Sequence, residues 1–401
     1  MPAPDSPLLA GLRVVEVALL APNMLGMHLA DLGAEVIKVE EPGRGDYTRS
    51  VGTARAGGLS FLHLRWNRGK RSIGLDLRHP AGADAFRDLV RASEVVVEGL
   101  RAGALERRGL GYDDLRTVNP ALVWCSLSGF GQTGPYRDLA THGVAYDAYA
   151  GLASPETTGD GFPTIPRRYH EIGTQAGALY AASAVLAAVL RARATGKGAI
   201  LDIAQADAAV CWNAGRLDPV LSGGADRGEP ASLQASVRYQ YYATADGRHV
   251  LFQASERHFF ERFCRAVGRE DLLAGAGGAE LGEHARGDTE LRRQLAALFA
   301  TRTQAEWVRL FVEADVPGGP VHAVRELQDD PQFRARTHVL EMQHPEAGPL
   351  RLLGTPVRSD VAPAVPGPAP ALGEHTDEVL ASVLGYDAGR ITALRERGAI
   401  A

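Results

Sequence analysis

Short runs of β-branched residues alternate with amphipathic stretches through the first half of the chain. Leu12–Val17, Glu35–Val39 (EVIKV), Ser72–Leu77, Glu94–Glu98 (EVVVE) and Leu122–Leu127 (LVWCSL) read as strands. Met24–Leu32 reads as a helix stopped by Gly33, and Ala81–Ala92 as another. Alternation of this kind with short links predicts βαβ crossovers and a mainly parallel sheet. A longer helix, from about Gln175 to Ala194, ends at Thr195-Gly196-Lys197-Gly198, a left-handed stop signal, and Ile200–Ile203 follows as a strand.

The pattern then changes. Residues 219–231 (PVLSGGADRGEPA) form a polar, glycine-rich break that reads as a domain boundary. Arg238–Thr244 and His249–Gln253 flank Ala245-Asp246-Gly247-Arg248 and predict a β-hairpin. Helical patterns over Glu256–Val267, Leu291–Ala300 and Gln304–Ala314 complete a small α+β domain. Asp360–Ala371 is a proline-rich extended connector, and Thr376–Leu384 and Ala388–Arg397 are terminal helical pieces.

Composition removes several function classes. The 43 basic residues include only three lysines (Lys38, Lys70 and Lys197), a bias that a GC-rich coding genome explains; with 48 acidic residues the net charge is −5. Nucleic acid is therefore not an expected partner. Cys125, Cys211 and Cys264 lie far apart without a CxxC and read as buried free thiols of a reducing, cytoplasmic compartment. The N-terminus lacks a basic start and an unbroken apolar run. Residues 172–190 carry no charge but are rich in Ala, Gly, Ser and Thr, which predicts a buried helix rather than a membrane span. No HxxxH, HExxH or Cys/His cluster suggests a metal, and no GxSxG suggests a serine hydrolase.

Gly129-Phe130-Gly131-Gln132-Thr133-Gly134 spells GxGxxG after a strand, but Pro135 follows and the motif sits in the fifth strand unit. A ligand-approaching glycine loop fits better than a dinucleotide fingerprint. Two basic segments, Asn67-Arg68-Gly69-Lys70-Arg71-Ser72 and Arg101 to Arg108, fall near strand boundaries, where cations can hold phosphate.

LAGLRVVEV, LADLGAEVIKVEEPGRGDYTR, NRGKRSIGLDL, EVVVEGLRAGALERRGLGYDDL, NPALVWCSLSGFGQTGPY, ATGKGAILDIAQADA, ASERHFF, EADVPGGPV and LGEHTDEVL occur in this order. The chain thereby resembles the family III CoA-transferases, the superfamily that includes formyl-CoA transferase, carnitine CoA-transferase and α-methylacyl-CoA racemase. The resemblance implies a Rossmann-like large domain built from N- and C-terminal parts, a small α+β domain between them, and an interlocked homodimer. The expected division is 1–218 (large domain), 219–231 (linker), 232–330 (small domain) and 331–401 (return connection and remainder of the large domain). The implied ligands are coenzyme A, as acyl-CoA, and a carboxylic acid acceptor, with no metal and no membrane.

Residue by residue, the resemblance implies phosphate contacts from Lys70, Arg71, Arg101 and Arg108, with Gly129, Phe130 and Gly131 beside the thioester. The lysine scarcity sharpens the expectation for Lys70. The transferases attack acyl-CoA with an Asp just ahead of the helix leading to TGKG. Thr174 occupies that position here, Gly173 if the racemase spacing is used, and neither carries a carboxylate. Glu171 is three residues upstream, beside His170, and is expected to face solvent. The racemase pattern instead places a His at His142 and its partner Glu at Glu256. A His–Glu pair suits proton transfer, so the leading expectation is acid/base chemistry at the acyl-CoA α-carbon. The alternatives are CoA transfer through Glu171 and a non-catalytic acyl-CoA-binding subunit.

Overall fold

A computed structural model describes residues 5–225, 233–274 and 285–401. The chain divides into two units, Met1–Leu217 with His338–Ala401, and Asp218–Thr337.

The first unit is organised by six strands: β1 (Arg13–Ala18), β2 (Glu35–Glu40), β3 (Lys70–Gly74), β4 (Val95–Gly99), β5 (Val123–Ser128) and β6 (Ala199–Ala204). All neighbours pair in parallel, in the order β3-β2-β1-β4-β5-β6, the doubly wound arrangement. Alternation within each strand feeds two cores. Val14, Val36, Val95 and Val123 face α1 (Asn23–Asp31) and the 24-residue α2 (Ile172–Thr195). Val15, Ile37, Val96 and Trp124 face the opposite way. There they meet α3 (Thr376–Ser382) and α4 (Ala388–Glu396) through Val379, Leu380, Ile391 and Leu394. Trp124 is wholly buried, and burying each such large apolar side chain contributes roughly 1.5–3 kcal/mol. The C-terminal segment thus completes one face of the sheet.

The helix that carries the uncharged run 172–190 is only half interior. Ala181, Val185 and Val189 of α2 pack on the sheet, whereas Leu179, Tyr180 and Leu190 are exposed in the isolated chain. It starts at Ile172, three residues before the expected Gln175, so Thr174 lies inside its first turn. The expected break at 219–231 is also shifted. Ala214–Leu221 is helical, the division between units falls after Leu217, and residues 226–232 lie outside the described set. Cys125 and Cys264 are buried free thiols, but Cys211 is exposed, against expectation.

In the second unit, β7 (Gln240–Ala243) and β8 (His249–Phe252) form the expected antiparallel hairpin. A third strand, β9 (Gly318–Val321), pairs with β8. Helices Arg257–Val267, Thr289–Phe299 and Gln304–Glu313 supply Phe263, Phe299 and Trp307 to an aromatic core with Phe252.

Lys70 and Lys38 are fully buried between β1–β3 and α1. The Lys70 ammonium donates to both oxygens of Glu16 at 2.7 and 2.8 Å, to the Asn23 carbonyl at 2.8 Å and to Asn67 Oδ1 at 3.1 Å. Lys38 donates to the Ala18 carbonyl and Asn23 Oδ1, both at 2.7 Å, and pairs with Asp46 at 3.0 Å. Burial pulls Lys70 down to about 8 despite the attraction of Glu16. Burial raises Asp46, but Lys38, Thr48 and Asn23 outweigh it and hold the carboxyl at about 2.

The expected phosphate role of Lys70 is therefore corrected: its charge is used inside the fold. Arg71, at the N-terminal end of β3, pairs with Glu35 and Glu378 at the surface and is corrected likewise. Removing one member of a buried pair strands the other charge. Lys70→Ala is accordingly expected to lower unfolding free energy by about 3–5 kcal/mol in urea titrations, and Arg71→Ala by less than about 1 kcal/mol.

Candidate functional site

The carboxyl ends of parallel strands point their loops to one edge of the sheet, and a crevice opens where the winding reverses. Here that reversal lies between β1 and β4. A cleft of about 970 Å³ occupies it, walled by Leu19–Pro22 after β1, Gly99–Ala102 after β4 and Leu127–Phe130 after β5. A second hollow of about 260 Å³ shares Leu19, Tyr47, Leu100 and Arg108 with it.

One end of the cleft is cationic. Arg101 and Arg108, both anticipated, line it together with Arg107 and Arg137. Arg107 and Arg137 converge: a Cβ built on Gly103 would lie 2.8 Å from Arg107 Nη1 and 3.2 Å from Arg137 Nη2. Among the described residues, none of these four guanidinium groups forms an ion pair, in contrast to Arg71. Forked cations without carboxylate partners form an anion cradle. Arg137 was not singled out from sequence; its position three residues beyond Gly134 of the glycine loop was the available signal.

The other end carries Thr174, Glu171 and His142. Thr174 is 1% exposed, in the first turn of α2, and Glu171 is the N-cap residue of that helix. The Glu171 side chain does not cap its own helix. It folds forward, and its Oε2 accepts from the Thr174 hydroxyl at 3.3 Å. A Cβ on Gly143 would meet Glu171 Oε1 at 2.7 Å. The expectation of a Glu171 facing away into solvent is thus corrected: although exposed, it stands in the cleft wall beside position 174.

Asp147 explains this geometry. It lies in the short helix Val144–Tyr149 and is fully buried. Its carboxylate accepts from Gly173 N at 2.8 Å, from Ile172 N at 3.3 Å and from the Tyr169 hydroxyl at 2.5 Å. A charged acceptor takes over the helix N-terminus, which leaves Glu171 free to project. Burial, then the bond to Asp147, pushes the Tyr169 phenol up. Gly173 has no room for a side chain, since a Cβ would lie 3.0 Å from the Gln205 carbonyl and from Tyr146 Cβ. Sequence offered no direct sign of Asp147, which acts through backbone amides far along the chain.

The remaining expected residues separate. Gly129 and Phe130 line the cleft, but Gly131 lies behind the wall, near Asp202, at φ +83°. Asp202 of β6 accepts from Gln132 N at 3.0 Å and fixes the turn. Phe130 packs edge-on against Tyr136, Tyr146 and Tyr149. Glu256 is the N-cap residue of Arg257–Val267 in the second unit, and its side chain makes no cap bond. His142 lies in the first unit, so neither unit by itself contains the expected His142–Glu256 pair.

The sequence profile of CoA-transferase family III matches residues 9–376. The chain belongs to that family. It is 32% identical to mouse succinyl-CoA:glutarate CoA-transferase over 395 residues, covering 98% of this chain and 90% of the relative. It is 33% identical to succinyl-CoA–D-citramalate CoA-transferase of Chloroflexus aurantiacus, covering 97% of each. The solved structure of Rv3272 from Mycobacterium tuberculosis is 30% identical and superposes with a TM-score of 0.77, over 93% of this chain and 99% of that one.

One titratable group lies just beneath the cleft. Glu98, at the end of β4, is 1% exposed; its Oε2 accepts from Ser126 Oγ at 3.0 Å while Oε1 has no partner among the described residues. Burial, reinforced by Glu106, lifts its carboxyl from 4.5 to about 7, against the opposing influence of Ser126 and Arg107. A raised folded-state value means this carboxyl favours the fold below pH 4.5 and progressively penalises it as pH rises to about 7. Chemical denaturation at pH 5 and pH 8 should therefore show a loss of up to about 3 kcal/mol from this group, and Glu98→Gln should abolish that part of the slope.

Proposed function

We propose that the protein transfers coenzyme A from an acyl-CoA to a carboxylic acid, with Glu171 as the carboxylate nucleophile. The observation that carries this reading is the placement of the Glu171 carboxylate, folded from the N-cap over Thr174 and into the cleft. The family pattern puts its Asp at position 174. A glutamate three residues earlier, with one more methylene, reaches the hydroxyl of the residue that replaced it. Relatives named as CoA-transferases favour this over the expectation of α-proton transfer by His142 and Glu256.

Four exchanges make up the reaction. A Glu171 oxygen attacks the thioester carbonyl, forming a mixed anhydride and releasing CoA thiolate. The thiolate attacks the glutamyl carbonyl, giving an enzyme–CoA thioester and the donor carboxylate. The acceptor carboxylate then attacks that thioester, forming a second anhydride and freeing the thiolate again. Finally the thiolate attacks the acceptor's acyl carbon, and Glu171 leaves as a carboxylate. No proton is consumed. The Thr174 hydroxyl keeps one carboxylate oxygen oriented, and the Gly129–Phe130 backbone lies beside the reacting carbon. Arg107 and Arg137, with Arg101 and Arg108 nearby, fit the phosphates of CoA.

The exposed apolar residues Leu179, Tyr180, Leu190, Ile200 and Trp212 support a homodimer, and the buried thiols Cys125 and Cys264 suit the cytoplasm. Sedimentation is expected to give twice the 42.7 kDa chain mass; a monomer at micromolar concentration would remove the dimer.

Incubation with succinyl-CoA followed by borohydride should reduce a thioester at Glu171 to the alcohol, read by peptide mass. Glu171→Gln should lose the label and on the order of a thousandfold or more of turnover. Adding Thr174→Asp to that variant should restore part of both. A label on another residue, or turnover within about tenfold of the parent, would overturn the role of Glu171.

A further inference from the structure

Three polar atoms in the wall of the cleft have no hydrogen-bond partner among the described residues although they are shielded from water: Ser128 Oγ, Thr141 Oγ1 and Gln205 Oε1. Buried polar atoms are almost always paired, so three in one wall mark a place where something else supplies the partner. They are neighbours. The Gln205 amide nitrogen donates to the Ser128 carbonyl at 3.4 Å, and a Cβ on Gly129 would lie 3.2 Å from Thr141 Oγ1. They also adjoin the reacting end, since Thr141 precedes His142 and Gly143, against which Glu171 rests.

Gln205 is held rigidly. It is 3% exposed and begins the helix Gln205–Trp212 directly after β6. Gly173 and Gly177, one turn apart on α2, admit it closely: a Cβ on Gly177 would meet Gln205 Cγ at 3.0 Å. One N–H of its amide points to the Ser128 carbonyl, and Oε1, which has no partner among the described residues, is an acceptor. A carboxylate has no hydrogen to offer that acceptor, and a methylene has none either. A hydroxyl has one, and its oxygen can in turn accept from Ser128 or Thr141 after rotation about a single side-chain torsion.

Resting on the transfer reading, we infer that Gln205, Ser128 and Thr141 form a hydroxyl-recognition site, and that the preferred acceptor is a hydroxy-carboxylic acid. A site built to bond a hydroxyl rejects the analogue without it, because its own groups then stay unpaired.

Matched acceptors test this with the full-length protein and succinyl-CoA: malate against succinate-d4, citramalate against methylsuccinate, and 3-hydroxyglutarate against glutarate. At least one hydroxy acid should exceed its partner in kcat/KM by roughly tenfold or more. Gln205→Met, Thr141→Val and Ser128→Ala should each pull that ratio toward one, whatever their absolute rates. A ratio near one for all three pairs in the parent protein overturns the site. A high ratio unchanged in every folded variant overturns the assignment to these residues. If Gln205→Met fails to fold, the other two variants carry the test. Absence of transfer to every acid, with no adduct at Glu171, is failure of the transfer reading. Calorimetric binding of the same pairs in the presence of CoA then decides the hydroxyl site, and equal affinities overturn it.

Discussion

Two ammonium groups enclosed between a parallel sheet and its first helix constrain everything around them. Lys70 must reach Glu16 on the central strand, and Lys38 must reach Asp46 beyond the end of β2. Asn23 serves both, through its carbonyl and its side chain. Such a cluster is not an efficient source of stability, because desolvation offsets most of the attraction. What it supplies is position. The start of α1, the turn at Asp46–Thr48 and the first three strands cannot shift independently without exposing a charge to apolar surroundings. The edge of the sheet that carries the cleft is thereby fixed in place before any ligand arrives.

The Glu171 end of the cleft follows a parallel logic with a different anchor. Asp147 uses the amides of Ile172 and Gly173, so the helix terminus needs nothing from Glu171. An N-cap glutamate would otherwise turn toward those amides. Relieved of that demand, its carboxylate accepts from the Thr174 hydroxyl instead of from a backbone amide. The loss of the family's aspartate and the gain of this glutamate are therefore compatible within one helical turn. On the proposed transfer reading, the attacking carboxylate comes from three residues earlier in the chain and stands beside the Thr174 hydroxyl.

The doubly wound sheet was legible in the sequence because parallel, doubly covered strands read as runs of Val, Ile and Leu, and EVIKV and EVVVE are such runs. The anion end was legible in part. Arg101 and Arg108 follow a strand, and position after a parallel strand is itself a pointer to the ligand edge. Lys70 and Arg71 misled because they open their strand rather than follow it, and a parallel strand puts its two ends on opposite edges of the sheet. Glu171 was undervalued because the helix start was set three residues late, which left it in a loop rather than at a cap. Arg137, Asp147 and Gln205 were not singled out, since each acts through an atom supplied by a distant segment. Spacing along one chain does not encode such contacts.

The covering of the sheet by its last two helices has a consequence for how the chain is made. The face bearing Val15, Ile37 and Trp124 is closed by Val379, Leu380, Ile391 and Leu394, which are synthesised more than three hundred residues after Val15. Phe86, Leu89 and Val90 of the helix Pro80–Arg91 cover part of that face early, but the part that the C-terminal helices close stays open while the whole second unit is produced. The second unit, whose aromatic core is drawn from its own residues, has every contact it needs first. The first unit is thus completed only after the second has been made, and the strip of sheet that the C-terminal helices cover stays apolar and open until the end of translation. Demand for chaperones, rather than native-state stability, is the term in which this topology is costly.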